Sequence, residues 1–262
     1  MKKTVFLNDS AQYSEFGLFE TMRSYKGKIV YFDQHLKRIQ ESCRLLGIDF
    51  PSSLAELKMD IHKAIKLSGF CDARVKIVLL KNQPASGLSI YVKKYTPCPA
   101  KKYSRGFNVS IADFKQNESN LLARIKTTSR LSYELAYQKA KENKYDEAII
   151  LNNRGHLAEL TRSNIFFVQK AKLFTPALEC GCLNGITRQL VLDLAKKHKL
   201  DFEEGKFWLS DLEKAQEAFL TNSLLGVMPL TCVENRPIGS ANPGGLTKFF
   251  IEKYSVLLKF LL

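Results

Sequence analysis

The 262-residue chain is 45% hydrophobic and 25% charged, which is ordinary for a soluble globular protein, and it is long enough to bury a core in one large or two small domains. Its net charge of +14 would suit a nucleic acid, an anionic surface or an acidic substrate. The basic residues are scattered, however, without an aromatic RNA-binding signature or zinc-finger spacing. A solvated lysine-rich surface therefore explains the charge more simply, and we expect no nucleic-acid partner.

The cysteines and the two terminal segments argue against a metal site, export and membrane association. The six cysteines form no CxxC pair, and "ECGCLNG" lacks a histidine or second cysteine pair at metal spacing, so no metal site is expected. The start "MKKTVFLNDSAQ" has only Val5–Leu7 as an apolar run, unlike a signal peptide. Thiols without an export signal indicate the cytoplasm. Charged residues interrupt "LTKFFIEKYSVLLKFLL", which predicts a docking helix and no membrane association.

The first third of the chain alternates predicted strands with two predicted helices. Asp33 is expected to cap the first helix, which Gly47 ends, and Ser53 and Glu56 form a capping box at the start of the second. The predicted helices are "QHLKRIQESCRLLG" and "SLAELKMDIHKAIKLSG", and the predicted strands are "TVFLN", "GLFETMRSY", "KIVYF", "ARVKIVLLK" and "LSIYVKKY".

A segment with two prolines, a glycine and clustered charge, "TPCPAKKYSRG", follows and is predicted to be an interdomain linker. The predicted linker comprises residues 99–106, and it separates a predicted N-terminal domain at residues 1–98 from a predicted C-terminal domain at residues 107–262. Because strands and helices alternate on both sides, we expect a two-domain α+β protein. The later predicted elements are strands at "FNVSIAD", "DEAIILN", "LAELTRSNIFFV", "KLFTP" and both halves of "EAFLTNSLLGVMPLTCV", and helices at "SYELAYQKAKENK" and "GITRQLVLDLAKKHK".

Two charged residues are candidates for chemistry. Lys126 follows the apolar run "LLARI" and precedes three hydroxyl residues, and a lysine that attacks a carbonyl needs a partly buried position so that it is neutral part of the time. A surface lysine at a helix start explains that window better. At strand period two, Glu159 shares a face with Leu157 and Thr161, and an inward carboxylate needs a cationic partner such as a protonated pyridine nitrogen. A surface glutamate on an edge strand explains this second window equally well.

Three further segments offer groups that suit a phosphate. The Gly-Ile-Thr run at 185–187 begins a predicted helix, where free N–H groups and the helix dipole favour anions. Asn222 and Ser223 lie at a predicted strand break, and Arg38 can supply counter-charge. The Walker and Rossmann glycine patterns are absent, so a nucleoside triphosphate or a dinucleotide is not indicated.

Taken in order, five motifs resemble the fold type IV pyridoxal-phosphate enzymes, which include branched-chain and D-amino-acid aminotransferases and 4-amino-4-deoxychorismate lyase. The motifs are "FGLFETMR…YFDQHLKRI", "IKTTSRLSY", "DEAIILNNRGHLAELTRSNIFFV", "TPALECGCLNGITRQ" and "FLTNSLLGVMPL", and they span nearly the whole chain. The resemblance implies two α/β domains with pyridoxal 5'-phosphate between them, a small-molecule substrate and a homodimer.

The same resemblance implies a role for individual residues. Lys126, assigned to the C-terminal domain, matches the Schiff-base lysine, and Glu159 matches the carboxylate that pairs with the pyridine nitrogen. The phosphate-binding positions are matched by Arg38, Ile186, Thr187 and Ser223, with Asn222 beside them.

Three short features resemble the lyase more than the aminotransferases. They are Thr21 in "LFETMR", where aminotransferases tend to carry glycine or valine, the run "KTTSRL", and "TNSLLGVMP". One feature departs from the family: many relatives place an arginine for the substrate carboxylate in the loop that here is "KNQPASG". Lys81, Arg23 or Arg130 are the candidates to replace it.

The resemblance thus implies a cytoplasmic lyase that converts 4-amino-4-deoxychorismate to 4-aminobenzoate and pyruvate. Lys126 would remove the proton at the amine-bearing carbon, and Thr21 would orient the substrate or the base. An aminotransferase on the same scaffold is the alternative. A basic nucleic-acid-binding protein is an alternative of another class, supported by charge alone.

Overall fold

A computed structural model of the chain describes residues 16–50, 53–81 and 87–261, so the predicted strand "TVFLN" lies outside the described residues. The chain divides into two compact units. The first comprises residues up to Lys94 together with Lys126–Ser129, and the second comprises Tyr95–Ile125 and Arg130–Leu262.

The first unit is an antiparallel four-stranded sheet covered by two helices. Its strands, in the order β2-β1-β3-β4, are β1 (Gly17–Tyr25), β2 (Lys28–Ile29), β3 (Ala73–Leu80) and β4 (Gly87–Lys94), and its helices are α1 (Phe32–Leu46) and α2 (Leu54–Ser68). The capping box of Ser53 and Glu56 and the end of α1 at Gly47 are confirmed.

Strand β1 separates two chemically different faces. Leu18, Met22 and the other even-numbered residues are buried, whereas the odd-numbered Phe19, Thr21 and Arg23 are half-buried. This is the period-two alternation expected of a strand with one covered face. The faces of β3 alternate in the same way, because Thr21 is directly opposite Lys76 in the register.

The predicted start of α1 is wrong by two residues. Tyr31 adopts a left-handed conformation with φ of 54°, which ends β2 after Ile29 and makes Tyr31 the N-cap, without a side-chain cap. The predicted strand "KIVYF" is therefore too long. Asp33 lies in the first turn, where it forms an ion pair with Lys58 and favours the positive end of the helix dipole.

The second unit is built on one mixed sheet. Its strands run in the order β10-β9-β8-β11-β12-β5-β6-β7, with β13 paired to β12, and the pairs β10/β9, β12/β5 and β5/β6 are parallel. The strands are β5 (Phe107–Gln116), β6 (Glu147–Asn152), β7 (Leu157–Leu160), β8 (Asn164–Gln169), β9 (Lys172–Pro176), β10 (Phe202–Gly205), β11 (Glu217–Asn222), β12 (Gly226–Val233) and β13 (Arg236–Pro237). The helices are α3 (Ala100–Arg105), α4 (Leu131–Glu142), α5 (Ile186–Lys197), α6 (Leu209–Glu213) and α7 (Gly245–Leu261).

Two predictions for this part of the chain differ from the structure. The proposed linker 99–106 contains α3 and belongs to the second unit, whose first residue is Tyr95. The segment "LAELTRSNIFFV" forms two strands, because the turn at residues 161–163 directs its polar groups to the buried carboxylate of Glu147. Thr161 therefore lies beyond the end of β7. The C-terminal helix is confirmed as α7, and no helix among the described residues is long and apolar enough to cross a bilayer.

Candidate active site

Lys126 is fixed against β1 through its own backbone. Its carbonyl accepts the Phe19 N–H at 2.9 Å, and Thr128 donates its N–H to Gly17 O at 2.8 Å. Its ammonium lies 4.6 Å from the centroid of the Phe19 ring. The flanking residues Ile125 and Arg130 belong to the second unit. The lysine predicted to lie in the C-terminal domain is thus part of the first unit.

The half-buried face of β1 carries the other predicted residues of this unit. Thr21 and Arg23 follow Phe19 on this face, and Thr21 is opposite Lys76, whose ammonium also lies 4.6 Å from the Phe19 ring. Arg23 is opposite Arg74. Thr21 therefore shares its strand face with the cationic residues Arg23 and Lys76.

Arg38 belongs to a buried charge cluster on the other face of β1. Its Nε and Nη2 donate to the two carboxylate oxygens of Glu20, both at 2.7 Å, and His35 Nδ1 lies 2.8 Å from Glu20 Oε2. Burial alone would raise the pKa of Glu20, but Arg38 and His35 outweigh it and hold that pKa far below its usual range. Burial lowers the pKa of His35, against the opposing effect of Glu20. Glu20 thus orients Arg38, whose contact with a phosphate stays a prediction.

Glu159 is a buried carboxylate in the second unit. It lies in β7 opposite Ile150, with only 4% of its surface exposed, and its Oε2 accepts the Leu183 N–H at 3.0 Å. Its Oε1 lies 4.0 Å from Arg130 Nη2. The pKa of Tyr133 is raised by burial first and then by the nearby Glu159 carboxylate. The Glu159 carboxylate is thus buried with one backbone N–H donor and an arginine among its neighbours.

The N-terminus of α5 offers donors to an anion. Gly185 is its N-cap without a side-chain cap, so the first-turn N–H groups at Ile186 and Thr187 lack intrahelical acceptors. A Cβ at Gly185 would lie 2.1 Å from Asn164 Oδ1, so any other residue would have to displace the Asn164 amide. In the part of the chain that the structure describes, the Thr221 hydroxyl is buried and has no hydrogen-bond partner.

The Asn222–Leu225 turn is stabilised by its own first side chain. Asn222 Oδ1 accepts the N–H groups of Leu224 and Leu225 at 2.9 and 2.8 Å, and its Nδ2 donates to Ser163 Oγ at 2.9 Å. The Asn222 amide thus holds the turn that contains Ser223. The predicted contact of either residue with the cofactor remains a prediction.

The predicted site residues divide between the units. The first unit contains Thr21, Arg23, Arg38 and Lys126, and the second contains Arg130, Glu159, Ile186, Thr187, Asn222 and Ser223. Of the candidates for a substrate carboxylate, Arg130 stacks on Tyr133 and donates to Thr161 O, whereas Lys81 donates to Gly47 O at 3.4 Å. The loop 82–86, which lacks the expected arginine, lies outside the described residues.

Two residues of the charge cluster, Glu20 and His35, were missed from the sequence. Glu20 has the same parity as the buried Leu18 and Met22 in β1, so the alternation already placed a carboxylate on the covered face. The argument from strand alternation was applied to Glu159 but not to Glu20. His35 lies on the buried side of α1, one residue before Leu36. This position could have identified His35 as the partner of the Glu20 carboxylate.

The donors present fit pyridoxal phosphate. Glu159 is a buried carboxylate suited to a protonated ring nitrogen, Lys126 supplies a primary amine, and the uncapped start of α5 with the unpartnered Thr221 hydroxyl suits a phosphate. Among the described residues, no group of three or more histidine, cysteine, aspartate or glutamate side chains is arranged to hold a metal ion.

The family model that matches the chain and the relatives of the chain agree on one family. The family model described as "Amino-transferase class IV" matches residues 17–233. A D-alanine aminotransferase from Bacillus licheniformis is 31% identical over 241 residues, which cover 88% of this chain and 84% of that protein.

Two solved structures resemble the chain closely in fold. A Legionella pneumophila protein, provisionally named a 4-amino-4-deoxychorismate lyase, superposes with a TM-score of 0.84 and 26% identity, covering 99% of this chain and 96% of that one. The branched-chain amino acid aminotransferase of Escherichia coli gives a TM-score of 0.86 at 20% identity, covering 92% and 85%. Aminotransferases of fold type IV use pyridoxal phosphate, and another branched-chain enzyme of this fold was solved with pyridoxamine 5'-phosphate.

Proposed function

Because the chain belongs to the class IV aminotransferase family, we propose that it is a pyridoxal-phosphate lyase that releases 4-aminobenzoate and pyruvate from 4-amino-4-deoxychorismate. Lys126 would hold the cofactor aldehyde and Glu159 its ring nitrogen. The phosphate would be bound by the start of α5, by Ser223 and by Arg38. When bound, the cofactor supplies an electron sink for the bond that breaks at the amine-bearing carbon.

The position of Thr21 is the observation that carries the choice of lyase. Thr21 lies two residues from Phe19 on one strand face, about 7 Å along the strand, and the Lys126 ammonium contacts that ring. The Thr21 hydroxyl is therefore on the strand face whose Phe19 ring lies beside the amine. Glycine or valine, which aminotransferases tend to carry here, would supply none.

The charge around Thr21 agrees with this substrate class. Each of the two products carries a carboxylate, so the substrate carries two negative charges. Arg23, Arg74 and Lys76 extend from the same face of the β1/β3 pair as Thr21. A substrate with two carboxylates gains more from such a face than an amino acid with one. Arg23 is our candidate for the residue that replaces the missing loop arginine.

The chain's own groups would then divide the work. Lys126 takes the proton from the amine-bearing carbon, and Glu159 keeps the ring nitrogen of the cofactor protonated. Thr21 orients the leaving enolpyruvyl group or the lysine through its hydroxyl. Loss of that group makes the ring aromatic, which drives the reaction towards 4-aminobenzoate and pyruvate.

Product analysis tests the proposal. Purified protein loaded with pyridoxal phosphate is incubated with 4-amino-4-deoxychorismate, and 4-aminobenzoate and pyruvate are quantified separately. Equal amounts of both products support the lyase. If neither product forms while amino acids convert the bound cofactor to its pyridoxamine form, the protein is an aminotransferase.

The aminotransferase is the second candidate, favoured by the 31% identity with the Bacillus licheniformis enzyme. The discriminating observation is spectroscopic. An aminotransferase half-reaction with D-alanine or a branched-chain amino acid leaves pyridoxamine phosphate on the protein and shifts the visible absorbance into the near ultraviolet, whereas a lyase cycle restores the starting spectrum.

The resemblance also supports a homodimer in the cytoplasm. Light scattering coupled to gel filtration measures the mass directly, and a value near that of one 29.8 kDa chain would contradict the dimer. Cell fractionation tests the location.

A further inference from the structure

Glu147 is a buried carboxylate that the proposed chemistry does not use. It begins β6, only 3% of its surface is exposed, and it accepts three hydrogen bonds from the turn between β7 and β8. The donors are the Thr161 hydroxyl at 3.3 Å, the Arg162 N–H, and the Ser163 hydroxyl at 3.0 Å. Burial raises the pKa of Glu147 to about 7, against the opposing effect of these donors. Both carboxylate oxygens of Glu147 thus accept hydrogen bonds from one turn.

The hydrogen bonds continue from this turn to a second one. The single proton of the Ser163 hydroxyl is donated to Glu147 Oε2, so its lone pairs are left for Asn222 Nδ2, which donates to it at 2.9 Å. The other end of the Asn222 amide accepts the N–H groups of Leu224 and Leu225. Above the pKa of Glu147, where its carboxylate only accepts, Glu147 therefore fixes the direction of each hydrogen bond along the path from Asn222 through Ser163.

The carbonyl side of the second turn is held independently. Tyr95 donates its hydroxyl to Leu224 O at 2.9 Å, and Tyr103 donates its hydroxyl to Leu225 O at 2.7 Å. The N–H groups and the carbonyls of both Leu224 and Leu225 are thus hydrogen-bonded, which holds the Asn222–Leu225 turn from two sides. Ser223, the predicted phosphate ligand, lies within this turn.

We propose that Glu147 is a positioning residue for the cofactor phosphate, acting through Ser163 and Asn222 on the turn that presents Ser223. This inference rests on the proposed function, because it assumes that Ser223 binds the phosphate. A glutamine at position 147 has one acceptor oxygen instead of two. The amide nitrogen of this glutamine is a donor, and it would face the Ser163 hydroxyl, which now donates to the carboxylate. The Ser163 hydroxyl would therefore rotate away from its present orientation.

The test measures cofactor affinity and not activity alone. At pH 8, pyridoxal phosphate and pyridoxal, which lacks the phosphate, are titrated into wild type, Glu147→Gln, Ser163→Ala and the double variant. Loss of one hydrogen bond predicts about five- to tenfold weaker binding of pyridoxal phosphate in each single variant. Pyridoxal binding should stay unchanged, and the double variant should resemble the single ones, because both substitutions interrupt one path.

Thr161→Val is the matched control, because Thr161 bonds the same carboxylate but lies off the path to Asn222. Its affinity for pyridoxal phosphate should stay within about twofold of wild type. Equal losses for pyridoxal phosphate and pyridoxal, additive effects in the double variant, or an equal loss in Thr161→Val would each overturn the inference.

The set of variants still tests the inference if one of them does not fold. It also distinguishes failure of the proposed function from failure of the role assigned to Glu147. If Glu147→Gln does not fold, Ser163→Ala against Thr161→Val decides between the outcomes above. If wild type binds no pyridoxal phosphate, the proposed function fails. If wild type binds it and the variants behave additively, only the role of Glu147 fails.

Discussion

Replacing Glu159 with glutamine exchanges a buried carboxylate for an amide of nearly the same shape. The bond from the Leu183 N–H, now 3.0 Å long, survives because glutamine keeps one carbonyl oxygen. The ionic attraction to Arg130 at 4.0 Å is lost, and because that distance is long and Arg130 is partly exposed, we expect a loss of about 1 kcal/mol or less without cofactor. The fold should therefore persist.

The larger effect appears when the cofactor binds. A charge-assisted hydrogen bond contributes about 1.5–3 kcal/mol. At 1.4 kcal/mol for each factor of ten, its loss weakens pyridoxal phosphate binding by roughly 10- to 150-fold. Turnover should fall as well, because an amide does not keep the ring nitrogen protonated as a carboxylate does.

Absorbance titration with pyridoxal phosphate gives the affinity, and product formation gives the turnover. Glu203→Gln is the matched control, since Glu203 is an exposed carboxylate paired with Lys172 at 2.8 Å and should leave both quantities unchanged. Wild-type affinity and turnover in Glu159→Gln would refute the assignment of this carboxylate to the ring nitrogen.

Substitutions at three other positions have definite expected outcomes. Lys126→Ala should abolish turnover with an unchanged circular dichroism spectrum, and borohydride reduction of the wild type should label Lys126; a label on another lysine contradicts the assignment. Thr21→Gly should reduce 4-aminobenzoate release by several-fold if about 1 kcal/mol of hydrogen bonding is lost, and by up to about 100-fold if a reacting group is misplaced. Thr21→Val, which keeps the branched shape, should show the same loss, and an unchanged ratio of lyase to transamination activity would make Thr21 a strand residue only. In Glu147→Gln, the pH dependence of stability should change. The folded carboxyl holds its proton up to a pKa of about 7 and the unfolded one only to 4.5, so wild type loses stability as the pH rises through this window, on the order of 3 kcal/mol. The difference in melting temperature, wild type minus variant, should therefore fall between pH 5 and pH 8, and a constant difference would contradict the buried-carboxyl explanation.

Elements with a strong period or a specific cap could be predicted from the sequence. The alternation in β1 and the capping box of Ser53 and Glu56 are local, so short segments contain the whole signal. The start of α1 could not be predicted, because nothing in "KIVYF" shows that Tyr31 adopts a left-handed conformation. The split of "LAELTRSNIFFV" had only the polar run at residues 161–164 as a local signal, and the carboxylate that holds this turn, Glu147, lies outside the segment.

The residues of the candidate site also differ in how much of their role a short segment of sequence can reveal. Lys126 and Glu159 could be nominated from motif order, but the membership of Lys126 in the first unit depends on backbone hydrogen bonds to β1, more than a hundred residues away. The role of Asn222 within its own turn was equally invisible, because an amide that holds a loop and an amide that binds a ligand have the same sequence signature.

The segment Lys126–Ser129 completes the first unit although residues 95–125 of the second unit precede it. It bridges Leu18 along the part of β1 that β2, paired only at Ser24 and Tyr25, leaves uncovered. During synthesis the N-terminal part of a chain emerges first, so the sheet β2-β1-β3-β4 leaves the ribosome before the lysine does. Lys126 is thus synthesised after the strand against which it packs. A nascent chain arrested before residue 126 would contain that whole sheet but would lack the lysine that we propose holds the cofactor.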